Sequence, residues 1–262
     1  MKLAFADRAH WLGDPDFASV PRGLVDKAYA AQLAKKIDLK KATPVPQHNT
    51  PPNATSDVFN KHTTHFSAAD AEGNWVACTA TINTSYGSKV VVPGTGVVLN
   101  NEMDDFSVQP GTANFFGLIG AEANAVAPGK RPLSSMTPTI VTRDGRLVMV
   151  VGTPGGSRIP SAVIETISNV IDFGMTVTEA VDAPRVHHQW LPDEIGYEPF
   201  GLSADTIAKL QAMGHKVVPI EQGNHVAAIL VGAPAIGAKP LGLQILYGAI
   251  DPRLNLGDVE GY

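Results

Sequence analysis

Apolar and polar positions alternate in short runs over most of this chain, and only a few stretches carry apolar residues at helical spacing. Thr63–Asp70 and Asn74–Asn83 flank Ala71-Glu72-Gly73, which predicts two strands joined by a three-residue loop with Gly73 in the left-handed position. A turn centred on Glu72 gives partners whose numbers sum to 144, which sets Thr63 opposite Thr81. Period-two alternation then places Thr79, Thr81 and Asn83 on one face and Val76, Cys78, Ala80 and Ile82 on the other. Thr139–Thr142 and Leu147–Val151 around Asp144-Gly145 predict a second hairpin, and Val226–Val231 and Leu243–Tyr247 two further strands.

Helical spacing appears at Leu24, Val25, Ala28, Tyr29, Leu33 and Ile37, after an irregular start. It returns over Ile159–Phe173, Val177–Ala183 and Ala204–Met213, with Thr176 and Ser203 placed to cap the last two. Strand pairs alternating with helices, rather than strict strand–helix–strand units, predict an α+β fold of stacked sheets covered by helices. Residues 42–55 hold Pro44, Pro46, Pro51 and Pro52 among polar residues and read as an extended, cuttable linker. The expected division is therefore 1–62, a segment ending in the linker, and 63–262, a larger domain.

Composition narrows the function. A net charge of −5 offers no basic field for nucleic acid or anionic lipid. No apolar run is long enough to span a membrane. The charged residues Lys2, Asp7 and Arg8 exclude a signal peptide at this start. One cysteine, Cys78, excludes an internal disulfide and reads as strand packing.

Five clusters carry candidate chemistry. In His62-Thr63-Thr64-His65, a cut before Thr63 would give a threonine whose own α-amine is the base for its hydroxyl. Asn100-Asn101-Glu102-Met103-Asp104-Asp105 gathers carboxylates and amides suited to an ammonium group, although such loops are often plain solvated surface. Ser134-Ser135, after Arg131-Pro132-Leu133, offers hydroxyls to a carboxylate or simply completes a turn. Gly152-Thr153-Pro154-Gly155-Gly156-Ser157-Arg158 reads as a tight turn that opens a helix and can aim backbone N–H groups at an anion, but it lacks the lysine of a P-loop. Neither His62/His65 nor His187/His188 has metal-ligand spacing with a third acidic partner, so these histidines read as structural.

Taken in order, these motifs resemble the C-terminal part of the γ-glutamyltranspeptidase family. The likeness runs from Ala6-Asp7-Arg8 and Leu12-Gly13-Asp14-Pro15-Asp16-Phe17 through Thr63-Thr64-His65-Phe66-Ser67 and Asn100–Phe106. It continues over Arg131–Met136, Gly155–Arg158, Pro184-Arg185 and His187–Trp190 to Gly261-Tyr262. The resemblance implies an N-terminal-nucleophile hydrolase fold, an αββα sandwich, with residues 1–62 as the end of a large subunit and 63–262 as the small subunit. It implies a zymogen that cuts itself between His62 and Thr63. Thr63 then accepts a γ-glutamyl group from glutathione or a related amide and passes it to water, an amino acid or a peptide.

By the same resemblance Thr81 orients the new terminus, and Gly155 and Gly156 supply the oxyanion donors. Asn83, Glu102 and Asp105 hold the substrate's α-amino end and Ser134 and Ser135 its α-carboxylate; Thr81 and Gly156 are further substrate-binding positions by the same resemblance. Pro110–Ala121 matches a lid with Phe116 over the bound glutamyl group. No metal or organic cofactor is implied. Members of the family carry a long region before the point where this sequence starts, including strands of one sheet and a substrate-binding arginine. The fold is therefore expected to be incomplete, and its partner to be that region or another copy of the chain. Similar full-length proteins are periplasmic or extracellular. The alternatives are an inactive truncated fragment serving as an interaction module, and a glutaryl or cephalosporin acylase, against which Asp105 argues.

Overall fold

The computed structural model describes residues 1–52, 64–221, 223–232, 245–254 and 257–261. Thr63, its pairing with Thr81, and Tyr262 lie outside the described residues. Helices α1 (Lys2–Trp11) and α2 (Lys27–Ala34) come first, then strands β1 (His65–Ala69), β2 (Trp75–Thr79), β3 (Thr139–Arg143) and β4 (Arg146–Gly152). Helices α3 (Ile159–Ile171) and α4 (Val177–Asp182) follow, then β5 (Val186–His187), β6 (Ile195–Tyr197) and helix α5 (Ala204–Ala212). Strands β7 (Val217–Pro219), β8 (Ala227–Val231) and β9 (Leu246–Ile250) close the chain. The class is α+β.

These elements form two compact units, each drawn from three stretches of chain: residues 1–60, 82–134 and 186–220 in one, residues 61–81, 135–185 and 221–262 in the other. The second unit is a layered sandwich. Its antiparallel sheet runs in the order β3-β4-β8-β9, and the β1-β2 hairpin packs on β4 and β8. Met149, Val150, Val151 and Gly152 of β4 are buried in succession, as a strand covered on both faces requires. Met149 and Val151 join Ile159, Val163, Val170 and Val181 of the helices in one apolar cluster, whereas Gly152 faces the hairpin.

The hairpin register is the one the loop predicted: His65 pairs with Thr79 and Phe66 with Cys78, and Gly73 takes φ 89°. The backbone N–H of Ala80 donates to the carbonyl of Thr64, carrying the ladder one step towards residue 63. Strand β2 ends at Thr79, however, and Asn83 has φ 75°. The expectation that Thr79, Thr81 and Asn83 share one strand face is therefore corrected, because alternation holds only while the backbone stays extended. The second hairpin forms at Asp144-Gly145 with a bulge between Val141 and Thr142. The predicted cap of α4 is a full capping box, Thr176 and Glu179 bonding each other's backbone N–H.

The first unit departs further from expectation. Its start is helix α1 rather than irregular chain; its buried side includes Ala6, Asp7 and Ala9, which give little apolar periodicity. Leu24 and Val25 fall in a 3₁₀ turn, because Asp26 caps α2 by accepting the N–H groups of Ala28 and Tyr29 at 2.7 and 3.0 Å. Ile37 lies beyond that helix. Strands β5, β6 and β7, two or three residues each, form a small sheet too short to leave a pattern. The last described strand is β9, Leu246–Ile250; it holds Leu246 and Tyr247 of the predicted Leu243–Tyr247, whose first two positions lie outside the described residues. Among the described residues no helix is long and apolar enough to cross a membrane.

Candidate functional site

The β1-β2 hairpin brings the chain leaving Thr63 against the strand that leads to Gly155. His65 stands two residues after Thr63, and Gly152 three residues before Gly155. A Cβ on Gly152 would lie 2.2 Å from His65 Cε1, so the imidazole occupies the space that any other residue there would need. The ring is held on both sides, Nδ1 to Thr79 Oγ1 at 2.8 Å and Nε2 to Ser67 Oγ at 3.0 Å. Burial pushes its pKa from 6.5 down to about 4, so it is neutral at pH 7. The expectation of a structural rather than metal-binding histidine fits this packing.

After β4 the chain turns sharply at Gly155 (φ 137°) and Gly156 (φ 58°) and enters a 3₁₀ turn that leads into α3. Among the described residues neither glycine N–H donates a hydrogen bond, so both donors are unspent at a helix entry. Asn224 fixes the turn. It is buried, its Nδ2 donates to the Pro154 carbonyl at 2.9 Å, and a Cβ at Gly155 would stand 2.1 Å from that same nitrogen. Thr153, fully buried, donates from Oγ1 to Pro154 O at 2.7 Å and accepts the N–H of His225 at 2.9 Å. Ser135 begins the second unit beside Met136, which belongs to the apolar core; Thr81 ends that unit's first segment, half-buried.

Asn83, Glu102, Asp105 and Ser134 lie in the first unit. Asn101 joins the first two: its carbonyl accepts Asn83 Nδ2 at 3.0 Å, and its Oδ1 accepts the N–H and Oγ1 of Thr84 at 3.2 and 3.0 Å. Glu102 and Asp105 bound one 3₁₀ turn, Glu102–Asp105, entered through the bond from Glu102 N–H to Asn100 Oδ1 at 3.0 Å. Arg131 is clamped by Asp14, whose carboxylate accepts its backbone N–H at 2.8 Å, Nε at 3.0 Å and Nη2 at 2.5 Å; Asp16 adds a further ion pair. The Arg131 hydrogen bonds hold the Asp14 carboxyl well below the usual range. That clamp sets the loop running to Ser134.

Pro110–Ala121 is a closed loop. Gly111 N–H donates to Gly120 O at 2.8 Å, Phe115 N–H to Asp104 Oδ2 at 3.0 Å, and Gln189 Nε2 to Phe116 O at 3.2 Å. The remaining motifs are absorbed by packing: Arg185 donates to buried Asp251 at 3.0 Å, His188 pairs with Asp193 at 3.1 Å, and Trp190 donates to Val45 O at 2.7 Å. Among the described residues no group of three potential ligands could hold a metal. The sequence placed Gly152 in the turn but carried no sign of its approach to His65, and none of Asn224 or Asn124, which act through amide bonds that no periodicity signals.

A sequence model of the family described as Gamma-glutamyltranspeptidase matches residues 1–259. The glutathione hydrolase proenzyme of Pseudomonas sp. (strain A14) is 51% identical over 265 residues, covering 100% of this chain and 45% of that protein. The chain thus spans about half the length of the curated relatives it matches. Among solved structures, a mutant of Helicobacter pylori gamma-glutamyltranspeptidase is 50% identical with a TM-score of 0.67, over 73% of this chain and 100% of that one. Cephalosporin acylase from Bacillus halodurans aligns with a TM-score of 0.76 at 28% identity, over 96% of this chain and 42% of that one. The fold is that of these N-terminal-nucleophile hydrolases.

Proposed function

The chain belongs to the γ-glutamyltranspeptidase family, and from that membership we propose that it carries the nucleophile and substrate grip of a γ-glutamyl transferase/hydrolase. The observation that carries this reading is the His65 ring seated on Gly152, which holds the strand leaving Thr63 against the strand leading to the unspent N–H donors of Gly155 and Gly156.

In this reading the precursor is cut between His62 and Thr63, dividing it into segments 1–62 and 63–262 that stay together. The freed α-amine, whose ordinary pKa near 8 leaves part of it neutral at working pH, takes the Thr63 hydroxyl proton. The hydroxyl oxygen bonds to the γ-carbonyl carbon of glutathione or another γ-glutamyl amide. The tetrahedral oxyanion is met by the Gly155 and Gly156 N–H groups. As the C–N bond breaks, the leaving amine receives that proton and Thr63 keeps the acyl group as an ester. Water, an amino acid or a peptide reverses the sequence and releases Thr63.

Thr81, opposite residue 63 in the extended register, orients the terminus. Asn83, Glu102 and Asp105 take the α-ammonium; Ser134 and Ser135 take the α-carboxylate, and Phe116 covers the glutamyl group from the 110–121 loop. Nothing in this chemistry calls on a metal or organic cofactor. The TM-score to cephalosporin acylase favours a second reading, an acylase of glutaryl-type side chains. Asp105 opposes it, since a glutaryl group has no ammonium to pair.

Intact mass followed over time tests the proposal, together with turnover of a γ-glutamyl-anilide and a glutaryl-anilide. The expected result is a clean split before Thr63, γ-glutamyl turnover above glutaryl turnover, and loss of both split and turnover in Thr63→Ala. A split that persists in Thr63→Ala sinks the self-cleavage. A wild-type chain that stays whole and inert makes this polypeptide an interaction module instead.

A further inference from the structure

Asn124 stands between two loops of the first unit, one carrying Asp105 and Ser107 and the other leading from Leu133 to Ser134. Its residue is 4% exposed. Its Nδ2 donates to the carbonyl of Asp105 at 2.8 Å, and its Oδ1 accepts the N–H of Leu133 at 2.9 Å. Its own carbonyl accepts the N–H of Ser107 at 2.9 Å. One side chain therefore bonds to the backbone of Asp105 and to that of the residue before Ser134. Only an amide can donate at one end and accept at the other at this length; the orientation of the group is fixed because an N–H must meet oxygen and a carbonyl must meet NH₂.

The bridge has a rigid mount. Asn124 ends a 3₁₀ turn, Glu122–Asn124, and that turn lies against Gly13, where a Cβ would meet the Ala123 carbonyl at 2.0 Å. Asn124, Asp105, Leu133 and Arg8 line one small cavity of this unit. Arg8, half-buried on the same cavity, places its positive charge within electrostatic reach of the Asp105 carboxylate while Asn124 holds the Asp105 backbone. Gly120 approaches Ser107 so closely that a Cβ there would sit 2.0 Å from its Oγ, which leaves the Ser107 strand no freedom to follow a displaced Asn124.

We infer that Asn124 is the positioning residue that sets the spacing between the ammonium-binding and carboxylate-binding ends of the substrate grip. The inference rests on the proposed roles of Asp105 and Ser134. An α-amino acid head presents its ammonium and carboxylate on one carbon, so the two protein loops must keep a fixed separation to meet both at once. A single amide spanning from one loop to the other does that without touching substrate. Selectivity for a complete α-amino acid head, rather than the chemical step, is what it controls.

The experiment compares three anilides: γ-glutamyl, glutaryl (no ammonium) and 4-aminobutanoyl (no α-carboxylate). Asn124→Asp keeps an oxygen for Leu133 N–H but sets a second oxygen against the Asp105 carbonyl. It is expected to lower the γ-glutamyl over glutaryl ratio of kcat/KM by about tenfold or more, through KM, with the ratio over 4-aminobutanoyl within about twofold. Asn124→Ala, which loses both arms, is expected to lower both ratios while kcat on saturating γ-glutamyl-anilide shows a folded enzyme. Equal losses on all three substrates, or unchanged ratios in either variant, overturn the inference. Asp105→Asn separates the two levels: if it leaves the first ratio unchanged, the role given to Asp105 fails and the inference with it. If Asp105→Asn lowers that ratio and the Asn124 variants do not, only the inference fails.

Discussion

The two units of this chain hold themselves together by different means. In the second, Met149, Val151, Ile159, Val163, Val170 and Val181 make one apolar cluster between sheet and helices, and the polar groups around it are mostly paired within strands and helices. The described apolar core of the first is small, Phe5, Ala6, Ala9, Tyr29, Phe106 and Leu118. Its long loops are held instead by a few buried polar side chains. Asp7 accepts Tyr29 Oη at 2.7 Å and Asn49 N–H at 2.6 Å; Asp14 holds Arg131, and Asn124 holds Asp105 and Leu133. Strand β1, which follows Thr63, and the glycine turn belong to the apolar unit, where backbone geometry is fixed by regular pairing. The groups proposed to select the substrate belong to the polar one. Burying methylenes fixes a scaffold; fixing irregular loops that must present charges takes hydrogen bonds that end on backbone atoms.

Four substitutions or conditions can break this contrast. The largest effect is expected from Met149→Ala in the apolar cluster, about 2–5 kcal/mol of unfolding free energy, measured by denaturant titration. A loss no greater than that of a polar clamp in the other unit would remove the distinction. Next is Gly155→Ala. Its Cβ would be forced to φ 137° and to 2.1 Å from Asn224 Nδ2, so the turn must shift, and kcat should fall by about 10²–10³ as when one oxyanion donor is lost. A variant with unchanged kcat would separate the turn from the chemistry.

Asp14→Ala is expected to cost less, about 1 kcal/mol, because Arg131 is partly exposed and keeps its ion pair with Asp16. It should show as a raised KM for γ-glutamyl-anilide with the denaturation midpoint of the apolar unit preserved. If kcat falls instead while KM holds, the Arg131 clamp serves the reaction centre rather than the grip.

Acid gives the smallest effect and the sharpest separation. His65 has a lowered pKa in the folded chain, so the unfolded state binds more protons between about 6.5 and 4, and stability falls as pH drops through that window. Asp14 is also lowered, but from 3.8; its contribution is present above that value and is lost only as pH falls below it. Protection of the β1-β2 hairpin amides, measured against the intrinsic exchange rate at each pH, should therefore fall from pH 6.5 to 4 while residues 131–133, held by Asp14, keep more of theirs. His10 and His188 of the first unit, also lowered by burial, loosen their own surroundings in the same window. Equal loss in the hairpin and at residues 131–133 would mean that the Asp14 clamp does not outlast the histidines.

The same contrast decides what could be read beforehand. The β1-β2 register, the Asp144-Gly145 turn and helices α3 to α5 were legible because period, turn residues and caps are local and repeat. The glycine turn was legible as a turn, but its support by Asn224 was not, because a single amide reaching back seventy residues leaves no local trace. Asn83 shows how alternation fails beyond a strand: β2 has already stopped at Thr79, and Asn83 takes a positive φ. Helix α1 was missed because its inner side mixes Phe5 with alanines and Asp7. In the polar unit the sequence displays the carboxylates Glu102 and Asp105 and the hydroxyl of Ser134, and hides the amide, Asn124, that ties Asp105 to Leu133.

The first unit is also drawn from both sides of residue 63. Phe5 packs edge-on against His187, Lys2 pairs with Asp193 at 2.6 Å, and Trp190 reaches Val45. A break in the chain before Thr63 would turn these internal contacts into a boundary between two polypeptides without moving an atom of them. What was folding becomes association: the stability of this unit acquires a dependence on concentration, and dilution becomes a way to take the molecule apart. The pair of buried Asp14 and half-exposed Arg131 then works as a rivet between separate chains, one half inherited from each.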